Sequence, residues 1–414
     1  MKFDEIITKH AFLLVFFMGF FALWNTHHHP VNTIALILGV IFVWLHLENR
    51  LPLFRQLLLA GIIFILLFSP MIRYSLLNQD ERISDVPPAI KAAAQYVIAE
   101  KNPYSESYYG TILEKSIPYN TAFWTSTGRA YLSMESFVYM PAIFLAAVPF
   151  ELAFPGQSYG WLAIIILVGC LCMLIFLGPK HIEWMLVLLF LNPIIFTSST
   201  HLHSVDFLLL FFLLVFMVGM KNRLPWMSGI ALGLAFSTKL YVLIVVPFLV
   251  YYLWKHHQKK TLAFAAATVL LIQGPFVIWN PMAYLQDVVF LAVGTGTASL
   301  SIWKQFYGIF PTLVNLNLIS AELGWIALPF MIGVFGIVFW QFIKKTGSLS
   351  RTFGYGCICI IGVFMFSKHF TDNYLTFPFF ILILYFLSLD SPFYEIEKNV
   401  SPPTLSVLEK NQGQ

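Results

Sequence analysis

Two carboxylates that follow the third apolar run of the chain have the residue type and position for proton transfer. Asp80 and Asp85 lie in a short acidic stretch with Glu81, and Asp85 directly precedes a helix-forming segment that opens with two prolines. A carboxylate can act as a general base on a hydroxyl, and a helix N-cap holds such a side chain in position. Asp80 and Asp85 are therefore candidate catalytic residues. The alternative is that Asp85 only caps its helix and Asp80 is merely solvated.

A second polar group separates two apolar runs in the middle of the chain. It contains His201, His203 and Asp206 within the segment 198–206. Ionisable residues beside apolar helices are costly in a membrane and are usually functional. These three side chains could hydrogen-bond substrate hydroxyls or help to hold a divalent cation, for which imidazole and carboxylate are suitable ligands. An ordinary polar interhelix loop is the alternative.

Lys239 is a lone cation that follows a segment rich in small residues, including Gly229 and Gly233, and it has no acidic neighbour in the sequence. Small residues permit close packing of helices, and a lysine at the tip of such a segment would suit a phosphate group. Snorkelling of the side chain to the membrane surface would also explain a lysine near a helix end.

Two further polar groups occur in the second half of the chain. Lys304 follows a stretch of glycine, serine and threonine, and His369, Asn373 and Tyr374 precede the last apolar run together with Asp372. Each group could line a binding site or form an ordinary loop at the membrane interface.

The elements that must position these residues are transmembrane helices. The chain is 59% hydrophobic and only 11% charged, whereas a soluble domain carries about 25% charged residues. About 20 apolar residues are needed for a helix to cross a bilayer. The apolar runs are 11–25, 31–47, 53–73, 158–177, 182–198, 204–220, 226–237, 240–254, 261–279, 322–343, 352–367 and 374–389.

Lysine and arginine, which mark the cytoplasmic loops of membrane proteins, gather in alternate connections of this chain. They occur at 2–9, 50–55, 180, 221–223, 255–260 and 344–351. The alternation is regular if 137–153 does not cross the membrane fully and if 226–254 is a hairpin that turns near Ser237, Thr238 and Lys239. The sequence therefore predicts an all-α integral membrane protein with about 12 transmembrane helices, a re-entrant segment at 137–153 and a large outer loop at 78–136.

The same pattern predicts one transmembrane domain over 1–390 and a polar cytoplasmic tail over 391–414. The outer loop contains a predicted amphipathic helix over 86–100, which would lie on the membrane surface.

Three passages resemble the C-type superfamily of membrane glycosyltransferases, and in particular its mannosyltransferase branch. They are Asp85 with its helix, Asn102-Pro103-Tyr104 and Tyr139-Met140-Pro141; Leu191-Asn192-Pro193 followed by Asp206; and Gly229, Gly233, Lys239-Leu240-Tyr241 and Pro247. Together they extend over most of 85–250.

The resemblance implies a multi-pass enzyme of the cell membrane that has its active site at the outer face. It would transfer mannose or another hexose, with inversion, from a polyprenyl-phosphate donor to a lipid or glycan acceptor. Asp85 would be the base, Lys239 would bind the phosphate with Lys304 or a histidine, and Tyr139 would belong to the substrate site. Asp80, His203 and Asp206 would position the substrate or a divalent cation, although the sequence requires no cofactor.

Two other classes of protein share some of these features. A transporter or flippase of lipid-linked saccharides would also have about 12 helices, but it should show internal repeats and interrupted helices at the midplane. The sequence has only one such break, at Lys239, and no partner for it in the second half. A polysaccharide polymerase would also have a large outer loop, which should be richer in arginine than 78–136, where only Arg82 and Arg129 occur.

Overall fold

The computed structural model describes residues 86–116, 137–156, 158–178, 206–290, 308–320, 326–345, 347–367 and 372–389, with the single positions Met134, Met185 and Leu189. Every regular element within these residues is helical. The first three predicted membrane runs, most of the run 182–198 and the tail 391–414 lie outside them.

Thirteen α-helices make up most of the described chain, and they are labelled here in chain order. They are α1 (Val86–Ile98), α2 (Ile112–Ser116), α3 (Pro141–Ala153), α4 (Ser158–Leu177), α5 (Asp206–Lys221), α6 (Pro225–Phe236), α7 (Val246–Lys255), α8 (Lys259–Trp279), α9 (Pro281–Tyr284), α10 (Ile309–Asn315), α11 (Ala327–Lys345), α12 (Leu349–Met365) and α13 (Asp372–Leu389). A 3-10 helix (Leu240–Ile244) precedes α7, and a π-helix (Leu285–Phe290) follows α9.

Three of the described helices, α4, α8 and α11, are long and apolar enough to cross a membrane. Shorter apolar helices occupy α3, α6, α12 and residues 376–389 of α13. The predicted all-helical membrane architecture is therefore confirmed, while the number of 12 crossings stays a prediction. Helix α3 has only 13 residues, which is too short to cross a bilayer alone, and its re-entrant course also stays a prediction.

Helices α5 and α6 form a tight antiparallel pair. The chain between them is a short turn, in which Leu224 N donates to the Gly219 carbonyl at 2.8 Å. Gly219 allows the close approach, because a Cβ at this position would lie 2.5 Å from the Ser228 hydroxyl oxygen. The beginning of α5 and the end of α6 consequently lie at the same end of the bundle.

Helices α6 and α8 run parallel to each other. Gly229 packs against Thr261 and Ala265, and Gly233 packs against Ala265 and Thr268 one turn further along. The chain between two parallel neighbours must return to its starting level, so it reverses direction after α6. This reversal begins at Ser237, where the sequence predicts the turn of a hairpin. The returning arm, α7, packs mainly on α12 instead of α6.

The predicted helix of the outer loop is present as α1, but it packs against protein. Ile90 and Ala94 are buried, whereas Ile98 is exposed. Gln95 Nε2 donates to Glu151 Oε1 at 2.8 Å, and Lys91 Nζ donates to the Gly156 carbonyl at 3.2 Å. These bonds show that α1 runs antiparallel to α3.

Basic residues gather at one end of the bundle, which we call the basic end. Tyr251 of α7 packs against Phe342 of α11 with ring centroids 5.7 Å apart, which brings the ends of these two helices to the same level. The basic end is defined by Lys221, Lys255, Lys259, Lys344 and Arg351. The predicted gathering of basic loops on one side of the protein agrees with this arrangement.

Candidate functional site

A buried ion pair lies at the end of the bundle opposite the basic end. Lys239 Nζ is 2.5 Å from Asp206 Oδ1. The Asp206 carboxylate is fully buried, while the Lys239 side chain keeps 17% of its surface exposed. The Tyr241 hydroxyl donates to the same Asp206 oxygen, and the Tyr241 ring faces Lys239 Nζ at 5.2 Å from the ring centroid. Asp206, Lys239 and Tyr241 thus form one polar centre, and we call this side the ion-pair end.

The helix pairing explains why these residues meet. Asp206 is the first residue of α5, and Lys239 follows the last residue of α6. Since α5 and α6 are antiparallel, their two polar termini coincide. Lys239 has extended backbone dihedrals of φ −142° and ψ 142°, so its side chain leaves the helical path. A carboxylate in the first turn of a helix is also favoured by the helix dipole.

The ion pair changes the interpretation of Lys239. This lysine has no acidic neighbour in the sequence, but in the structure it has one in space. A buried carboxylate is stable only when it is paired and hydrogen-bonded, and Asp206 receives both interactions. The Lys239 side chain is the exposed member of the pair and therefore the one that an incoming anion would meet.

A chain of hydrogen bonds supports the turn that carries Lys239. Gln273 Nε2 of α8 donates to the Ser237 hydroxyl at 3.1 Å, and the Tyr284 hydroxyl donates to Gln273 Oε1 at 2.8 Å. Ala142 N, in the first turn of α3, donates to the Ser237 carbonyl at 3.0 Å. The position of the lysine is therefore tied to α3, α8 and α9 together.

An aromatic cluster around Tyr104 forms a neighbouring wall at the ion-pair end. The Tyr104 hydroxyl donates to the Tyr139 carbonyl at 2.7 Å, and its ring makes edge contacts with Phe144 and Tyr284. Burial raises the pKa of Tyr104 well above its usual value, so the hydroxyl remains a neutral donor. Tyr139, a predicted substrate-binding residue, lies in this wall and is half-buried.

Asp287 is a buried carboxylate that sequence analysis missed. Only 7% of its surface is exposed, and Phe137 N donates to Asp287 Oδ2 at 2.9 Å across 150 residues of sequence. It lies in the π-helix after α9, and such helices are frequent at functional sites. An acidic residue between apolar neighbours was the available signal. Gln273 and Tyr284 were also missed, because uncharged polar residues at helix ends are common.

The structure describes only some of the remaining predicted residues. Asp80, Asp85, His201, His203, Lys304 and His369 lie outside the described residues. Asn373 and Tyr374 belong to the first turn of α13, whose side chains also lie outside them. That turn is at the ion-pair end, because Phe377 contacts the Tyr241 ring with centroids 5.0 Å apart. The roles of these residues stay predictions.

The direction of α1 bears on Asp85, which immediately precedes it. The end of α1 leads to Tyr104 and the aromatic wall, so the beginning of α1 points away from it. Val86 precedes Gln95 by nine residues, which is about 13 Å along a helix. Val86, at the beginning of α1, therefore lies toward the beginning of α4. Farther along α4, Cys170 lies beside Phe207, next to the ion pair.

A comparison with protein families finds one match. Residues 137–367, more than half of the chain, match the model of glycosyltransferase family 87. No curated protein and no solved structure matches the chain. The matched region contains the ion pair, the Ser237–Gln273–Tyr284 chain and Asp287, whereas Asp85 precedes it.

Proposed function

The chain belongs to glycosyltransferase family 87, a family of C-type membrane glycosyltransferases, and from this premise we propose its donor, acceptor and site. It is a glycosyltransferase. We propose that the sugar is mannose or another hexose, that the donor is a polyprenyl-phosphate sugar, and that the acceptor is a lipid or a glycan. The observation that carries this proposal is the Asp206–Lys239 pair, in which the carboxylate is buried and the lysine side chain is partly exposed.

Lys239 has the chemistry expected of a group that binds the donor phosphate. A lysine ammonium is a common phosphate ligand because it is a compact point charge with three donors. Its position is fixed by Asp206, by the Tyr241 ring and by the bonds to Ser237. Such fixed charge stabilises a developing anion without reorganisation during the reaction.

The proposed reaction is a single displacement. The acceptor hydroxyl oxygen attacks the anomeric carbon while the bond from that carbon to the phosphate oxygen breaks. The electron pair of the broken bond stays on the phosphate, whose added charge Lys239 stabilises. The hydroxyl proton passes to a carboxylate base. One displacement at the anomeric carbon inverts its configuration.

Asp85 is the proposed base, on the basis of the family resemblance and of its place before α1. Asp206 is a second candidate for the base. The reason is that Asp85 immediately precedes α1, and α1 begins on the side away from the aromatic wall. Asp206 is already engaged by Lys239 and by the Tyr241 hydroxyl, which favours Asp85. The experiment below therefore includes both residues.

The remaining predicted residues complete the proposal. Asp80, His201, His203 and Tyr139 would contact the sugar, Lys304 and His369 would assist at the phosphate, and Asn373 and Tyr374 would line the site. Among the described residues no group of three or more metal-ligating side chains occurs. We propose that a divalent cation, if one takes part, is held by His201 or His203 together with Asp206.

The distribution of charge supports an active site at the outer face of a cell membrane. Basic loops favour the cytoplasm, and the ion pair lies at the end of the bundle opposite the basic end. The donor would then enter sideways from the bilayer with its phosphate near the outer surface.

Sugar transfer in membranes tests the proposal. Membranes that contain the protein are supplied with a panel of radiolabelled polyprenyl-phosphate sugars. Wild type is compared with Asp85→Asn, Asp206→Asn and Lys239→Ala, and the amount of each protein is measured by immunoblot. We expect transfer from one donor in wild type, none in Asp85→Asn and a reduction of at least about 100-fold in Lys239→Ala.

The outcomes separate the parts of the proposal. Transfer that persists in Asp85→Asn would remove the base from Asp85, and loss of even the first turnover in Asp206→Asn would then make Asp206 the base. Transfer that is indifferent to Lys239 would remove the phosphate site from the ion pair. A wild type that uses nucleotide sugars and no polyprenyl-phosphate sugar would overturn the donor class.

A further inference from the structure

We propose that Asp206 is a charge-balancing residue that prevents Lys239 from retaining the lipid phosphate released by the reaction. This inference rests on the proposed function, because it takes the donor to be a polyprenyl-phosphate sugar. It assigns Asp206 a role in product release instead of in proton transfer.

The charges of donor and product differ by one unit. The sugar-linked phosphate is a diester and carries one negative charge. Transfer breaks the bond to the sugar and leaves a phosphate monoester, whose second ionisation has a pKa of about 6. The product is therefore nearly a dianion at pH 8. A lysine that acted alone would bind the product more tightly than the donor, so the product would inhibit the enzyme.

The ion pair reduces this preference. Asp206 and Lys239 together carry no net charge, and their charged atoms are 2.5 Å apart. The ammonium can still donate hydrogen bonds to a phosphate oxygen, but the carboxylate behind it opposes each added negative charge. This electrostatic repulsion between the Asp206 carboxylate and the phosphate grows with the charge of the ligand, so it weakens binding of the product more than binding of the donor.

The surroundings of Asp206 keep its carboxylate in place while the phosphate binds. Asp206 is fully buried, and the Tyr241 hydroxyl donates to it. Lys239 is partly exposed and lies on the Tyr241 ring face. A ligand can therefore meet the exposed part of the lysine side chain, while the aspartate stays at contact distance behind it.

The test compares two lipids on the purified full-length protein in lipid nanodiscs at pH 8. One is a short-chain polyprenyl phosphate, and the other is its methyl ester, a diester with one negative charge. The dissociation constant of each is measured by displacement of a fluorescent polyprenyl-phosphate analogue. Wild type should prefer the monoester by less than about tenfold.

Variants isolate the contribution of charge. In Asp206→Asn the affinity for the monoester should rise at least about tenfold relative to the affinity for the diester, because the site acquires one uncompensated positive charge. In Tyr241→Phe the hydrogen bond is lost but the charges are unchanged, so the ratio should stay that of wild type. In the double variant Asp206→Asn with Lys239→Gln, which again has no net charge, the preference should disappear.

Several results would overturn the inference. A wild type that prefers the monoester by tenfold or more contradicts it, and this measurement stands even if Asp206→Asn fails to accumulate. A folded Asp206→Asn variant whose relative affinity for the monoester does not rise contradicts the inference as well. If wild type binds neither lipid, the proposed donor class fails and the inference falls with it. If wild type transfers sugar from the lipid donor but shows the wrong ratio, only the inference fails.

Discussion

Lysines at the two ends of the helix bundle have different surroundings. At the basic end, Lys221 Nζ donates to the Leu177 carbonyl at 2.5 Å, and Lys344 Nζ lies 4.6 Å from the centroid of the Trp340 ring. At the ion-pair end, Lys239 contacts a fully buried carboxylate. The first two lysines interact with groups that most helix ends or membrane interfaces offer, whereas Lys239 depends on one specific partner.

The difference shows what each end contributes. Cations at helix C-termini interact favourably with the exposed carbonyls and with the helix dipole, and many lysines together determine the orientation of a membrane protein. Such residues can replace one another. A buried charge must instead be paired by a particular side chain, so substitutions at the ion-pair end should have larger and more specific effects.

The largest expected effect contrasts two lysines. Lys239→Ala should lower sugar transfer by at least about 100-fold, as the loss of one fixed stabilising donor does in other enzymes. Lys221→Ala should leave transfer within about twofold, because its carbonyl partners are at the basic end and can bind water instead. Initial rates in membranes with matched protein levels measure both. Equal losses in the two variants would contradict the assignment of the site.

The contact between α6 and α8 supports the ion-pair end through close packing. A Cβ at Gly233 would lie 2.6 Å from the Ala265 carbonyl oxygen and from Thr268 Cβ. Gly233→Ala should therefore destabilise the protein by about 2–3 kcal/mol, in the range of other overpacked sites. Thermal unfolding in detergent gives the change in Tm.

Gly274→Ala, in the partner helix α8, is the control. A Cβ there meets no atom within 4 Å, so this variant should be neutral or slightly more stable, since alanine favours helix. A Gly274→Ala loss as large as that of Gly233→Ala would mean that close packing of α6 on α8 is not the cause.

Asp287 should contribute to stability more than an exposed acid does. Asp287→Ala leaves the buried Phe137 N–H without its acceptor, which costs about 1–3 kcal/mol. Glu106→Ala removes an exposed pair in which Glu106 Oε2 is 3.6 Å from Lys101 Nζ, and such pairs contribute about 0–1 kcal/mol. Unfolding curves of the two variants compare them directly, and Asp287→Asn, which can still accept the bond, should lie between wild type and Asp287→Ala.

The smallest expected effect concerns the pH dependence of stability at the basic end. Burial, followed by the charges of Lys255 and His257, lowers the pKa of His256 below its usual 6.5. The unfolded chain then binds more protons at this position, so stability should fall as pH decreases through 6.5. His256→Gln should reduce this acid-dependent loss of Tm between pH 5 and 8, whereas His257→Gln removes only the smallest of the three causes and should reduce it less. Identical profiles in all three proteins would contradict the prediction.

Much of the helical organisation could be predicted from the sequence. The apolar runs from 158–177 to 374–389, apart from 182–198, all contain described helices. The helix after Asp85 and the reversal at Ser237 also appear where they were predicted. These features depend on local composition, helix-breaking residues and charge at helix ends, all of which are readable along the chain.

The candidate site could be predicted only in part. Asp206 and Lys239 stand out as charges beside apolar helices, and the sequence identified both as substrate-binding candidates. It did not reveal that they pair, and it missed Asp287 and Gln273. Helical periodicity tells which face of a helix is apolar but not which neighbour that face meets or at what height.

The sequence by itself determined that this protein is a helical membrane protein, where its basic end lies and which rare charges to examine. Only the tertiary structure decided that Asp206 neutralises Lys239, that Asp287 accepts the Phe137 N–H across 150 residues, and that α6 and α8 run parallel. The physical reason is that such contacts depend on small residues such as Gly219, Gly229 and Gly233, which let distant helices approach closely enough to fix their relative heights.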